Sequence, residues 1–326
     1  MKKRSFGKML AVLVCAAVPA MPAQASQKIS DDIELSGLLE TEASYADGDM
    51  GDSSDIVLAT LELGLDAEIA EWISAHVLFL YEEDETDGIE VDEAFVTLSP
   101  GDSGFFVNAG RFAQGIGAFP SWMITDPLTL ELGETTQKSS VAFGWENDTV
   151  RALVSVYKGD VRKSDEDHVN TWVGSLNIGG AVGDLDCEAG VSYTNNIADS
   201  DTLVEDFDGV PTTSFIGGYS GYLVVAVGSV SLGGEYLSAT DEFSDGARVG
   251  SRPGAWNVEF VWDMPSQLAL VARVGGAHEF DIDNQYGAAV SWGLHEGVSI
   301  GAEYLRNENA DDTSEDVLTL QLAAEL

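Results

Sequence analysis

Apolar residues recur at every second position along most of this chain, a period that belongs to strands with one apolar and one polar face. The clearest run puts Trp256, Val258, Phe260 and Trp262 on one face, with Asn257, Glu259 and Asp263 on the other. Val57, Ala59, Leu61, Leu63, Leu65, Ala67 and Ile69 make a second apolar face, opposed by Thr60, Glu62, Asp66 and Glu68. Tyr286, Ala288, Val290 and Trp292 repeat the pattern, as do Leu318, Leu320, Leu322, Ala324 and Leu326. Trp256, Trp262, Tyr286 and Trp292 sit at the ends of their stripes, where aromatic belts meet the two interfaces of a membrane. A soluble sandwich also alternates, so strand number and the order of connections must decide.

Runs bounded by turn residues predict sixteen strands, near 33–46, 55–70, 72–85, 88–99, 104–113, 139–147, 149–158, 168–180, 183–196, 214–228, 229–241, 252–264, 266–279, 283–294, 296–308 and 313–326. Weak facing patterns in the fourth strand and in 214–241 leave fourteen or eighteen open. The even-numbered links are tight, such as Ala70-Glu71, Asn147-Asp148 and His295-Glu296; the odd-numbered ones are mostly long and polar, such as 199–213 and 241–251. Short turns on one side, long loops on the other and an even count describe an all-β transmembrane antiparallel barrel with both termini on the short-turn side. Closure satisfies every backbone group in lipid, which an open sheet could not do.

Export is written at the start. Lys2, Lys3, Arg4 and Lys8 precede a short apolar run, and Ala23-Gln24-Ala25 is a small-x-small cleavage site, so residues 1–25 read as a signal peptide and 26–326 as the barrel domain. No later run is long and apolar enough for a spanning helix. Cleavage leaves Cys187 as the single cysteine. It also leaves 11 basic residues against 56 acidic ones, a net charge of −45. Nucleic acid is excluded as a partner, because neutralising phosphates needs Lys and Arg. A hydrophobic fraction of 44% excludes a disordered acidic chain.

One stretch breaks the strand series. Residues 114–138 carry Gly115, Gly117, Pro120 and Pro127, together with Phe119, Trp122, Met123, Ile124, Leu128, Leu130 and Leu132. The glycines and prolines break a ladder, and the apolar content is too high for a loop lying in water. Structureless connections of this length are usually functional. The expectation is a loop folded into the barrel lumen that narrows the pore; an external lid on the rim is the other reading.

With the apolar faces toward lipid, the lumen receives Glu40, Glu42, Glu62, Asp66, His76, Glu235, Glu259 and Glu303, with Arg151 and Arg273 as its cations. A low-dielectric wall lined by one sign of charge favours cations and repels anions. Arg111 falls in phase with Phe105, Val107 and Ala109, so counting leaves its direction open. It either faces Asp126, Glu131 and Glu134 across the constriction or holds carbonyls of the loop in place.

SGLLETEASY (36–45), SDIVLATLELGLDAEI (54–69), VLFLYEEDE (77–85), IEVDEAFVTL (89–98), NAGR (108–111) and ITDPLTLELGET (124–135) together resemble the LbtU-like siderophore porin family. The resemblance covers the first third of the mature chain. It implies an outer-membrane porin of a Gram-negative cell that passes iron–siderophore complexes passively, with no plug. The chain has no segment of plug length and too few strands for a plugged transporter. The expected partners are outer-membrane lipid and lipopolysaccharide, a small-molecule solute such as a ferric siderophore, and further copies of the chain in a homotrimer; no cofactor or metal is expected. A general cation-preferring diffusion porin and a non-conducting adhesin or structural barrel are the alternatives. Asp47 to Asp55 lacks the ligand and glycine order of an EF-hand. An enzyme is not expected, because His76, His168, His278 and His295 are scattered and no Gly-x-Ser-x-Gly elbow exists.

Overall fold

The computed structural model describes residues 26–326 apart from Met50 and Asp208; the expected signal peptide, residues 1–25, lies outside the described residues. In chain order the strands are β1 (Gln27–Ser30), β2 (Ile33–Gly48), β3 (Gly51–Ala70), β4 (Ile73–Tyr81), β5 (Glu90–Leu98), β6 (Phe105–Phe112), β7 (Lys138–Glu146), β8 (Val150–Tyr157), β9 (Thr171–Val182), β10 (Leu185–Thr194), β11 (Gly218–Val227), β12 (Val230–Ala239), β13 (Gly254–Met264), β14 (Leu268–His278), β15 (Ile282–His295), β16 (Val298–Asn309) and β17 (Ser314–Glu325). Two short α-helices interrupt them, α1 (Leu128–Gly133) and α2 (Asp201–Glu205). β1 turns back on β2, with Gln27 opposite Leu35. From β2 onward each strand pairs antiparallel with the next, and β17 pairs with β2, Leu318 opposite Tyr45 and Leu320 opposite Ala43. The sixteen strands β2–β17 therefore close into a barrel with no free edge.

Tight turns gather at one end. Gly183, Gly228 and Gly297 take φ of 67°, 60° and 72° there, the left-handed backbone that two-residue hairpins require. The long connections, residues 82–89, 113–137, 158–170, 195–217 and 240–253, gather at the other end.

Alternation sorts the strands as their residue types demand. Trp256, Val258, Phe260 and Trp262 are exposed on the outer surface, while Asn257 and Glu259 between them are fully buried inside. One apolar stripe changes phase at a bulge. Between Glu40 and Glu42 of β2 the partner strand advances from Thr60 to Val57. Val57 thus stands opposite Glu42, on the lumen side, and Ile56 takes the outward place at 73% exposure. The stripe read as 57–69 is outward only from residue 61. Near the long loops, exposed Trp172, Tyr193, Tyr219, Tyr236, Trp256, Tyr286 and Tyr304 form an aromatic girdle. Tyr193 is directly opposite Tyr219, and Tyr236 is directly opposite Trp256. Exposed Trp72, Phe105, Trp262 and Trp292 form the girdle near the tight turns. Among the described residues no helix is long and apolar enough to cross a membrane; the barrel's spanning elements are its strands.

Residues 113–137 lie inside. Ile116, Phe119, Leu128 and Leu132 join Tyr157, Val173, Leu237 and Ala255 of the wall, Ile197, Leu203, Phe207 and Phe243 of the long connections and Phe280 of the short β14–β15 link in one buried core. Met123, with Trp122 beside it, packs on Val261, Val271 and Leu305 in a second. These cores fill the β8–β16 side of the lumen, and the loop is the element that builds both.

Candidate functional site

The inward loop is seated by carboxylates. Glu235 of β12 accepts the amides of Ala118 at 3.0 Å and Phe119 at 2.7 Å. Glu259 of β13 accepts the Trp122 amide at 2.6 Å, and Glu303 of β16 accepts the Ile124 amide at 2.6 Å and the Thr125 amide at 3.2 Å. Each carboxylate thus satisfies backbone donors that a loop lifted out of water would leave orphaned. Phe119 takes φ 48°, an unusual conformation for a bulky residue, and the two-point grip of Glu235 holds it there.

Arg273 of β14 completes the seat. Its Nε donates to Glu259 Oε1 at 2.7 Å; Nη1 donates to the carbonyl of Asp126 at 2.9 Å and to Gln285 Oε1 at 3.2 Å. Nη2 donates to Ser121 Oγ at 2.6 Å and to the carbonyl of Thr125 at 2.7 Å. All five guanidinium N–H groups are therefore engaged. The side chains of Arg273 and Glu259 are both 0% exposed. A buried pair of this kind is tolerable because every guanidinium donor and both carboxylate oxygens find partners.

Past Pro127 the loop winds into α1. Leu128 and Leu132, four apart, are buried, while Glu131 is exposed. The Asp-Pro step before the helix and the leucine spacing are the signals for it in the sequence, although the expectation there was an irregular loop. Beyond α1 the long connections clip the loop's end. The Asp201 amide donates to the Glu134 carbonyl at 2.9 Å, and Asp201 Oδ2 accepts the amide and hydroxyl of Thr136, each at 2.8 Å. Above it Asp199 accepts the Val161 amide at 2.8 Å and Asn196 Nδ2 at 3.0 Å; burial pushes its carboxyl up from the usual range.

Asp126 lies within electrostatic reach of Glu42 and Glu85, Glu131 of Glu85, and Glu134 of Asp92. Glu40, Glu42 and Glu62 stand on β2 and β3, with Glu42 accepting Gln321 Nε2 at 2.9 Å. Arg111 lies at the loop's end, where its Nε donates to the Asp92 carbonyl at 3.2 Å and its Nη2 donates to Gln137 Oε1. Gly110, before it, takes φ 148°, and the pairing of β6 with β5 and β7 runs on through both residues without a register shift.

Nearer the tight turns, His76 Nδ1 is 2.8 Å from Asp66, its Nε2 is 3.6 Å from Glu93, and its ring lies 5.2 Å from that of Phe95. Arg151 lies 5.4 Å over the Phe106 ring and 3.7 Å from Glu146. The residues expected to line one lumen thus fall into three groups, with Asp66, His76 and Arg151 nearer the tight turns. Glu235, Glu259, Arg273 and Glu303 lie beneath the loop, and Glu40, Glu42 and Glu62 stand on the β2–β3 wall. The loop residues Ser121 and Thr125, and the wall residue Gln285, were missed as parts of the seat. Small polar side chains carry no pattern that marks them for it.

Comparison with known proteins bears on the fold. No family model matches the chain. Among curated proteins it is 26% identical over 250 residues to a UPF0422 protein of Coxiella burnetii, covering 70% of this chain and 52% of that protein. It is 25% identical over 222 residues to a UPF0422 protein of Legionella pneumophila strain Paris, covering 64% of this chain and 39% of that protein. The chain therefore spans about half the length, or less, of these curated relatives. Among solved structures, the outer membrane channel DcaP of Acinetobacter baumannii superposes with a TM-score of 0.65 at 14% identity, covering 94% of this chain and all of that one. OmpF of Salmonella typhi, in complex with daunomycin, gives 0.66 at 10% identity, with 92% and 100% covered. An anion-selective porin from Comamonas acidovorans gives 0.65 at 12% identity, with 90% and 99% covered. The resemblance to LbtU-like porins is met at the level of the barrel. The chain has the closed sixteen-stranded fold of the outer-membrane porins.

Proposed function

We propose that the chain is exported by its cleaved signal peptide and forms a passive, non-enzymatic channel in the outer membrane. Its passage runs between the inward loop and the β2–β5 wall. The observation that carries this reading is the loop itself. It is seated on one side of the lumen, and its acids Asp126, Glu131 and Glu134 lie within electrostatic reach of Glu42 of β2, Glu85 of the 82–89 connection and Asp92 of β5. Carboxylates on both sides of a narrow, low-dielectric passage raise the local concentration of cations and exclude anions. Arg111, Asp126, Glu131 and Glu134 are the selectivity residues of this constriction, and Glu40, Glu42 and Glu62 line the approach.

The solutes are small and cationic or neutral. Iron–siderophore complexes, the class suggested by the LbtU-like segments, pass when their net charge is not negative. Lipopolysaccharide and lipid surround the girdles, and a homotrimer is the proposed assembly; OmpT of Vibrio cholerae, which superposes at a TM-score of 0.58, has been solved in a trimer form.

The test is single-channel recording in a planar bilayer under a KCl gradient. The expected reversal potential shows cation preference that weakens as salt screens the wall. Assembled barrels that do not conduct would remove the channel, and anion preference would remove the acidic passage. For iron, liposomes should admit a cationic ferric hydroxamate faster than an anionic ferric catecholate; the opposite order would reject the charge rule.

A further inference from the structure

We propose that three wall glycines, Gly233, Gly287 and Gly301, are specificity-determining positions. By lacking a Cβ they admit the side chains of Trp122, Met123 and Ile124 against the wall, and so set the free cross-section of the passage. The inference rests on the channel reading above and names the residues that fix its aperture.

The three glycines receive three consecutive loop residues. A Cβ on Gly233 would lie 2.7 Å from two ring atoms of Trp122; one on Gly287 would lie 2.5 Å from Met123 Cε and 2.9 Å from Leu305 Cδ1; one on Gly301 would lie 3.1 Å from Ile124 Cδ1. Ordinary contact begins near 3.4 Å, so the occupants must move if any of the three gains a methyl group. None of the three is among the glycines with positive φ, so the backbone does not require glycine at these positions. Glycine weakens a strand interior and marks close approach by another group. The outward-facing Gly180 makes the contrast, with nothing within 4 Å of its Cβ position.

The sockets also share a line with the groups that grip the loop. Gly233 is directly opposite Glu259, Glu259 opposite Arg273, Arg273 opposite Gly287, and Gly287 opposite Leu305. Across β12–β15 the order is socket, carboxylate, guanidinium, socket. Gly301 lies two residues from Glu303 on β16, hence on the same face. Trp122 gives its amide to Glu259 and its ring to the glycine opposite; Ile124 gives its amide to Glu303 and its side chain to the glycine two residues away. The carboxylates fix the loop's position along the wall, and the glycines fix its distance from the wall. A larger side chain in a socket pushes the loop toward β2–β5, where the passage runs.

The test uses the full chain refolded into bilayers, with assembly checked by the heat-dependent shift of barrel mobility on electrophoresis. Gly233→Leu is expected to lower unitary conductance by about twofold or more, because the narrowest section sets resistance. It should also lower the largest sugar admitted by swelling liposomes. Adding Trp122→Ala to Gly233→Leu should return both quantities toward the wild type, since the displaced ring is gone. A merely structural role would lower thermal stability without moving conductance and would show no rescue. Should Gly233→Leu fail to assemble, Gly287→Ala with and without Met123→Ala reads the same quantity through the neighbouring socket. A conducting wild type with unchanged conductance in assembled socket variants overturns this inference alone. An assembled wild type that does not conduct overturns the channel reading, and this one with it.

Discussion

Glu40, Glu42 and Glu62 on one wall and Glu235, Glu259 and Glu303 on the other come from the same alternation, yet they do different work. The second set is buried under the loop and accepts its amides; Glu259 also accepts from a guanidinium. In the first set Glu40 and Glu42 lie within electrostatic reach of Asp126 of that loop, and Glu62 within reach of Glu40. A glutamate beneath the loop acts as a hydrogen-bond acceptor for the fold, and one across from it acts as fixed charge for the solute. What lies over a lumen acid decides its role, more than the acid itself does.

Charge reversal separates the two walls most sharply. Glu259→Arg places a second cation against Arg273 in a fully buried seat and removes the acceptor of the Trp122 amide. A broken buried pair costs about 3–5 kcal/mol, so this barrel should fail to assemble or should melt far below the wild type. Glu62→Arg, on the facing wall, should assemble normally and lose cation preference. Equal assembly of both variants on heat-modifiable electrophoresis would erase the distinction between the walls.

Deleting residues 117–134 and rejoining the ends with a short Gly-Ser link removes the cover from one wall. The strands pair without the loop, so assembly should persist with lower thermal stability, because both interior cores lose members. Unitary conductance should rise severalfold. Unchanged conductance in assembled barrels would mean that the loop does not border the passage.

Removing charge while keeping shape should produce a smaller effect. Replacing Glu40, Glu42 and Glu62 together by Gln should cut the reversal potential with little change in melting. Glu235→Gln should instead leave the potential nearly intact and cost about 1–2 kcal/mol, since one amide oxygen replaces two carboxylate oxygens under the Ala118 and Phe119 amides. The reverse outcome would exchange the roles of the two walls.

The smallest expected effect lies in the long connections. Hydrogen bonds from Thr213 and Ser244 hold the Asp245 carboxyl down at about 2. A depressed carboxyl contributes its stability above the unfolded value and loses it as pH falls through the folded one. The contact between 195–217 and 240–253 should therefore persist at pH 5 and loosen only below about pH 3–4. Hydrogen exchange in these connections across that range is the measurement.

The barrel was legible because alternation, turn residues and aromatic ends are carried by the residues themselves. Strand number and the tight links match the expectation, and the one phase error, at Val57, comes from a bulge that no residue type announces. The division of labour among the acids was not legible. Nothing in Glu235 or Glu259 distinguishes it from Glu62 until the loop is known to lie on β12–β16. Arg111 shows the same limit at close range. A Cβ at the preceding Gly110 would lie 2.2 Å from the Ala94 carbonyl, so only glycine fits there, and the place of Arg111 is given by its bonds to Asp92 and Gln137 rather than by counting.

The reach of the loop's hydrogen bonds also orders events in time. Its amides find acceptors 116, 137 and 179 residues further along the chain. Contacts so distant in sequence cannot form until the strands that carry them have joined the sheet. Glu303 belongs to β16, the next-to-last strand, so the seat is complete only when the barrel is nearly closed. The closing contact of β17 with β2 spans still more chain, 279 residues between Gln321 and Glu42, so the seating of the loop and the closure of the barrel belong to the same late stage.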